Sequence, residues 1–393
     1  MLLIKSTSQD ILIKNGKIAE IADTITVTAD MTVIDAAGLI VAPGLVDIHV
    51  HFREPGFEYK EDILSGAAAA ATGGITTCCC MANTKPVADS KEITEQITRK
   101  ASSALVKVLP VCAVTHGLQG TTLTDFVLLK SAGAIALSDD GIPIINDDVM
   151  REALITADKN GMLIISHCEE EEPMVKRDIE LASETGTRIH IAHVSTADAV
   201  ESIRKAKAAG IKVTAETCPH YFSLTESTVD EKGTLAKMSP PLRKQRDVEA
   251  IILGLCDGTI DAIATDHAPH SVEEKALPFN DAPNGIIGLE TSLAVTLTYL
   301  YHTGKMNIKE ILQLMAENPA KILGINAGIL KEGSPADITI FDPDKEWIIE
   351  PEKFKSKARN TPYGGMKLRG KVILTICGGK VVYNSENIDL MMN

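Results

Sequence analysis

The stretch LVDIHVHFR (residues 45–53) is an apolar, β-forming run that ends in ionisable side chains. Read as a strand, it sends alternate residues to one face, so His49 and His51 point the same way. Seven similar runs follow: ITTCCCMAN (75–83), VKVLPVCAV (106–114), AIALSDDG (134–141), MLIISHCEE (162–170), IHIAHVST (189–196), KVTAETCPH (212–220) and DAIATDHAPH (261–270). Helical patterns such as EDILSGAAAAAT, DDVMREALITADKNG and TADAVESIRKAKAAG lie between most of them. Gly74, Gly133, Gly161, Gly186, Gly210 and Gly258 precede strands, where a glycine closing a helix belongs. Eight strand–helix units predict an α/β chain folded as a (β/α)8 TIM-type barrel. A doubly wound open sheet is the competing arrangement. It usually carries a glycine-rich phosphate turn after its first strand, where this chain has His-Val-His-Phe-Arg.

Outside the barrel pattern the chain changes character. Residues 1–43 alternate in short strands around an Asn15-Gly16 hairpin turn, and residues 330–385 do likewise through ADITIFD, WIIEP and KVILTICGGKVVYN. The two ends are expected to pair into one small β-sheet domain built from both termini. Pro43-Gly44 and the stretch near Gly328 mark the boundaries, dividing the chain into 1–43, a barrel over 44–327, and 328–393.

A length of 393 residues suits one large domain plus a smaller one. With 39 Lys and Arg against 53 Asp and Glu the net charge is −14, and no basic stripe offers itself to nucleic acid. Lys5 and Asp10 interrupt the apolar start, so a secretory leader is not expected. No uncharged apolar run approaches the ~18 residues of a membrane span, so none is expected, and with reduced thiols a cytoplasmic location is the expectation. The eight cysteines include no CxxC pair and read as reduced, mostly buried thiols.

Seven of the ten histidines fall at or just past the C-terminal end of an expected strand: His49, His51, His167, His193, His220, His267 and His270. In a (β/α)8 barrel those ends converge on the face that holds the active site. Two imidazoles spaced as in His49-Val50-His51 can grip one divalent ion. Together with His167, His193 and Asp266 they exceed what one tetrahedral zinc needs and suit two metals sharing a carboxylate. Asp139-Asp140, at the end of the fourth strand, can supply that bridge or form a plain turn. Arg53 stands two residues past His51 on the same expected face, where its guanidinium can fork onto a carboxylate or pair at the surface. Asn83 either reaches the site or caps the next turn, and His220 and His267 either orient other groups or are structural.

As a set, DIHVHFREPG, MANTKP, SDDG, SHCEE, IAHVST, TAETCPH, KMSPPLR, ATDHAPH and APNGIIGLET resemble the amidohydrolase superfamily, and within it the dihydroorotases of the longer bacterial type. The resemblance implies that His49 and His51 bind a first zinc with Asp266, and that His167 and His193 bind a second. Many relatives bridge the metals with a carboxylated lysine. Here the resemblance implies Asp140 in that place, with Asp139 the alternative, and a bridging hydroxide between zincs about 3.5–4 Å apart. Asp266 would shuttle the proton, and Arg53, Asn83 and His270 would hold the substrate carboxylate. His51, Ser239 and Gly285 would also meet the substrate. The implied reaction is the reversible closure of N-carbamoyl-L-aspartate to dihydroorotate, in pyrimidine biosynthesis. The implied partners are a second copy of the chain and aspartate carbamoyltransferase.

Two departures stand out. Ser239 replaces the asparagine usual in KMNPPLR, and the segment between His167 and His193 is shorter than usual. The competing functions are a hydantoinase or allantoinase, which usually lack the Arg53 guanidinium, and an inactive dihydroorotase-like scaffold, which typically has lost metal ligands.

Overall fold

A computed structural model describes residues 1–385 together with the backbone of 391–392. The chain opens with β1 (Leu2–Lys5), β2 (Asp10–Lys14), β3 (Lys17–Ala22), β4 (Thr32–Asp35) and β5 (Ile40–Pro43). Eight strands follow: β6 (Leu45–Val50), β7 (Ile75–Cys80), β8 (Lys107–Cys112), β9 (Ala136–Leu137), β10 (Ile165–Ser166), β11 (Ile189–Ile191), β12 (Val213–Thr217) and β13 (Ala262–Ile263). The chain returns to β structure with β14 (Ile338–Ile348), β15 (Lys367–Cys377), β16 (Lys380–Asn384) and β17 (Met391–Met392).

Strands β6 to β9 form one parallel sheet and β10 to β13 another. Parallel bridges Leu137↔Ile164 and Val50↔His267 join the two sheets at both edges and close the eight-stranded barrel. The helices obey the expected periodicity. In Ala197–Ala208, Ala199, Val200, Ile203 and Ala206 face inward, Thr196 caps the first turn through the Ala199 amide, and Lys205 and Lys207 sit in the last turn. Gly186 ends Glu171–Thr185 in the left-handed conformation at φ 69°. Cys79 packs with Val46, Ile48, Val111 and Ile165 from other barrel strands, whereas Cys78 and Cys80 pack toward the helices. Adjacent strand residues point to opposite faces, so the three cysteines form no cluster. All eight cysteines are free thiols; six are buried, while Cys256 is exposed and Cys377 half-buried.

The two ends of the chain meet as expected in a small β domain, which is built of two sheets. β17, β4, β1, β2 and β3 make the first; β16, β15, β14 and β5 make the second. Ile4, Ile11, Ile13, Ile18 and Ile34 of the first sheet pack against Ile338, Ile340, Leu374 and Ile376 of the second. Both sheets have an apolar face to bury, and stacking them satisfies both. Asn15 and Gly16, at φ 53° and 76°, form the two-residue turn between β2 and β3. Among the described residues no helix is long and apolar enough to cross a membrane.

Candidate metal centre

His49 and His51 sit at the end of β6, where the pairing with β7 is irregular between Asp47 and Val50. The strand is tied to the far edge of the barrel by Asp47. Its Oδ1 accepts from the amides of His49 at 3.1 Å and Thr265 at 3.2 Å, and its Oδ2 accepts from Thr265 Oγ1 at 2.6 Å. Burial outweighs those donors and pushes the Asp47 carboxyl up to about 7. The His51 amide donates to the His267 carbonyl at 2.8 Å. These links bring Asp266, held in the left-handed region at φ 47°, against the two histidines.

The side chains converge. His51 Nε2 lies 3.0 Å from Asp266 Oδ1, and His49 Nε2 lies 3.2 Å from Asp140 Oδ1 and 3.6 Å from Asp266 Oδ1. His167 Nδ1 stands 2.7 Å from His193 Nε2 and 3.4 Å from Asp140 Oδ1, and His193 Nε2 is 3.9 Å from that same oxygen. Asp140 also approaches His51, Oδ2 to Nε2 at 3.5 Å. All six residues are buried. The neighbouring Asp139 points elsewhere, accepting from the amides of Val114 at 2.7 Å and Thr115 at 3.0 Å and from the Thr115 hydroxyl. Of the pair, only Asp140 reaches the histidines.

Burial acts to raise the Asp140 and Asp266 carboxyls, but the surrounding imidazoles outweigh it and hold both well below the usual carboxylate range. Burial and the neighbouring His167 and His49 push His193 down to about 3, leaving it neutral and able to ligate. His49 Nδ1 is 2.7 Å from Glu216 Oε1, which fixes the ring with Nε2 turned inward. Burial opposes the charge of Glu216, but its hydrogen bonds with His190 and His49 prevail and bring it down to about 2. His49 Nε2 has no hydrogen-bond partner among the described residues. His49, His51 and Asp266 form one group able to hold a cation, and His49, Asp140 and His193 another. A buried imidazole nitrogen that makes no hydrogen bond yet faces carboxylate oxygens fits a divalent ion with nitrogen and oxygen ligands.

His51, Asp140, His167, His193 and Asp266 border a cavity of about 230 Å3 that also exposes Arg53, Asn83, Ser239, His270 and Gly285. Arg53 reaches it by a route other than strand alternation. The regular strand stops at Val50, and Arg53 adopts φ 61°, which turns its side chain so that Nε donates to Pro269 O at 3.2 Å and Nη2 lies 3.4 Å from His270 Nε2. Asn83 Oδ1 is 2.9 Å from His51 Nδ1, and its Nδ2 donates to Asp140 Oδ2 at 3.2 Å. His270 Nε2 is 2.8 Å from the Asn284 carbonyl. Burial together with Arg53, Lys60 and Lys275 takes His270 down to about 3. His267 faces away from the cavity: its Nδ1 accepts from the Gly288 amide at 3.2 Å and its Nε2 lies 3.5 Å from Glu61 Oε2. His220 is buried against Tyr221.

Sequence reasoning missed several supporting groups. Asp47 and Glu216 lie inside the strand runs 45–53 and 212–220, and the available signal is an acid within an apolar strand. Asn360 donates to the carbonyls of Ala268 and Gly285, each at 3.0 Å, and accepts from the His270 amide at 3.2 Å. Nothing local in Arg-Asn-Thr-Pro announces that contact, which comes from the far end of the chain.

Comparison with known proteins identifies the family of the chain. The Amidohydrolase family model matches residues 40–382. A dihydroorotase of Geotalea daltonii is 49% identical over 405 residues, covering 96% of this chain and 95% of that protein. Dihydroorotases of Syntrophus aciditrophicus and Acetivibrio thermocellus are each 47% identical, with the same coverage. Among solved structures, an L-hydantoinase (dihydropyrimidinase) from Arthrobacter aurescens superposes with a TM-score of 0.90 at 27% identity, covering 98% of this chain and 97% of that one. The chain belongs to the amidohydrolase family, and the curated relatives that match it over nearly its whole length carry the name dihydroorotase.

Proposed function

We propose that this chain is a zinc-dependent dihydroorotase, interconverting N-carbamoyl-L-aspartate with (S)-dihydroorotate and water in the de novo pathway to UMP. One observation carries the reading: Arg53 and His270 line the same cavity as the imidazole–carboxylate cluster. A substrate with a carboxylate beside a cyclic amide matches that pairing. The identity to dihydroorotases over nearly the full chain supports it further.

In this reading His49, His51 and Asp266 would hold one zinc and His167 and His193 the other, with Asp140 close to both groups. Zinc held there would supply a water of pKa about 7 and a Lewis acid for the ring carbonyl. Arg53 forks onto the substrate carboxylate, assisted by Asn83 and His270, and so fixes which carbonyl faces the cluster. Ser239 and Gly285 border the ring. Asp266 takes the proton of the attacking water and delivers it to the ring nitrogen as the amide C–N bond breaks. Closure of N-carbamoyl-L-aspartate runs these steps in reverse and releases water.

The reading includes a barrel over residues 44–327 with a small β domain from 1–43 and 328–393. It also includes a cytoplasmic homodimer able to associate with aspartate carbamoyltransferase. The test is metal analysis together with ring-opening assays on dihydroorotate, hydantoin and allantoin. Zinc with turnover of dihydroorotate is expected. Turnover of hydantoin or allantoin alone would replace the reading with another cyclic amidohydrolase, and absence of both zinc and turnover would leave a scaffold.

A further inference from the structure

The helix Glu171–Thr185 follows β10 directly and carries two buried acids, Glu171 and Asp178, about two turns apart on one face. Neither touches the catalytic cavity. Glu171 Oε1 accepts from the amides of Ser195 and Thr196 and from Thr196 Oγ1, each at 2.8 Å. Its other oxygen accepts from the Ser195 hydroxyl, with Arg243 Nη2 at 3.5 Å, and Arg243 Nε donates to Ser195 Oγ at 3.0 Å. All of this grips the backbone just after His193, a non-glycine residue held at φ 36°. A side chain in the left-handed region stays there only where its surroundings over-determine it. Asp178 holds the side chains that flank His167 at the end of the preceding strand. Its Oδ2 accepts from Ser166 Oγ at 2.5 Å and from Cys168 Sγ at 3.6 Å, the residues immediately before and after His167, while Arg177 Nε sits 2.7 Å from Oδ1.

We propose that this helix braces one half of the metal centre, with Glu171 and Asp178 as positioning residues that hold His193 and His167 in ligating geometry. The inference rests on the reading of Asp140, His167 and His193 as the ligands of one zinc. A rigid helix touching both strand ends sets their separation, so loss of either grip loosens one ion and leaves the His49–His51–Asp266 group intact. Groups that orient metal ligands typically carry about 10–100-fold in metal affinity.

The test is zinc extraction from the purified enzyme by a competing chelator, with zinc per chain measured after each step and folding followed by circular dichroism. Glu171→Ala, Glu171→Gln, Asp178→Ala and Asp178→Asn are compared with the unaltered protein and with His193→Asn and His51→Asn as references for the two halves. In Glu171→Ala and Asp178→Ala one ion should leave about 10–100-fold more readily, as in His193→Asn, while the other behaves as in the unaltered protein. Glu171→Gln keeps an acceptor for the two amides and should recover part of the loss. If an alanine variant fails to fold, Glu171→Gln and Asp178→Asn decide. Equal weakening of both ions, or no change in a folded variant, overturns the proposal. If His193→Asn keeps both ions at full affinity, the ligand reading fails and the brace falls with it. If His193→Asn loses one ion and the brace variants keep both, the ligand reading stands and the brace alone is refuted.

Discussion

His51 and Asp266 are 215 residues apart in the chain, yet Nε2 of one lies 3.0 Å from Oδ1 of the other. They meet because the barrel closes at this seam, through the Val50↔His267 bridge and the Asp47 carboxylate. Asp266 thus faces both the imidazole–carboxylate cluster and the open cavity, the position a proton shuttle requires. Asp266→Asn should lower kcat for ring opening by about 10²–10⁴-fold. The melting temperature should change little, because the amide fills the same space. Turnover within a few-fold of the unaltered enzyme would remove Asp266 from the chemistry.

Arg53 is aimed by its left-handed backbone toward His270 and borders the cavity. A charged hydrogen bond to a carboxylate contributes about 1.5–3 kcal/mol. Arg53→Met should therefore raise KM for dihydroorotate about 10- to 100-fold, with a smaller effect on kcat. Kinetics indifferent to this change would end the carboxylate argument.

Asp139 and Asp140 are adjacent but should behave differently when removed. Asp139→Ala strands the buried amides of Val114 and Thr115, so it should cost about 1–3 kcal/mol of stability. Asp140→Ala should chiefly reduce zinc content. Denaturant melts and metal analysis on the two variants separate these outcomes, and a reversed pattern would exchange their roles.

Gly285 has φ 129°, and a Cβ there would stand 2.7 Å from Ala268 Cβ and 2.9 Å from its carbonyl oxygen. Gly285→Ala should cost more than about 1 kcal/mol and raise KM as the neighbouring His270 shifts. An unchanged melting temperature and KM would show that the loop yields freely.

Two buried histidines predict acid sensitivity. Burial takes His220 down to about 4 from an ordinary value of 6.5, and burial with nearby cations takes His270 down to about 3. Between those values and about 6.5 the unfolded chain binds more protons than the folded one. Stability is therefore lost as pH falls through that window. His220→Gln should flatten part of the decline between pH 6.5 and 4, read as melting temperature against pH. An equally steep decline would place the sensitivity elsewhere.

The architecture was legible because periodicity is local. Each barrel strand carries its own apolar run, each helix its own inward face, and Asn15-Gly16 its own turn. The candidate site residues were legible because imidazoles and carboxylates recur at strand ends, which a barrel must gather on one face. The fold class, the rim that carries the candidate site and the residues available to it were therefore readable from the chain alone. Tertiary structure alone decided the rest. The choice of Asp140 over Asp139 depends on which carboxylate finds the Val114 and Thr115 amides, and the aim of Arg53 depends on a left-handed turn. The supports from Glu216, Asn360, Glu171 and Asp178, and the division of the termini into two packed sheets, arise from contacts between distant segments. The physical reason is one of range: backbone alternation and helix period are set by neighbours in the chain, whereas hydrogen-bond partners and stacked faces are set by whichever groups folding brings within reach.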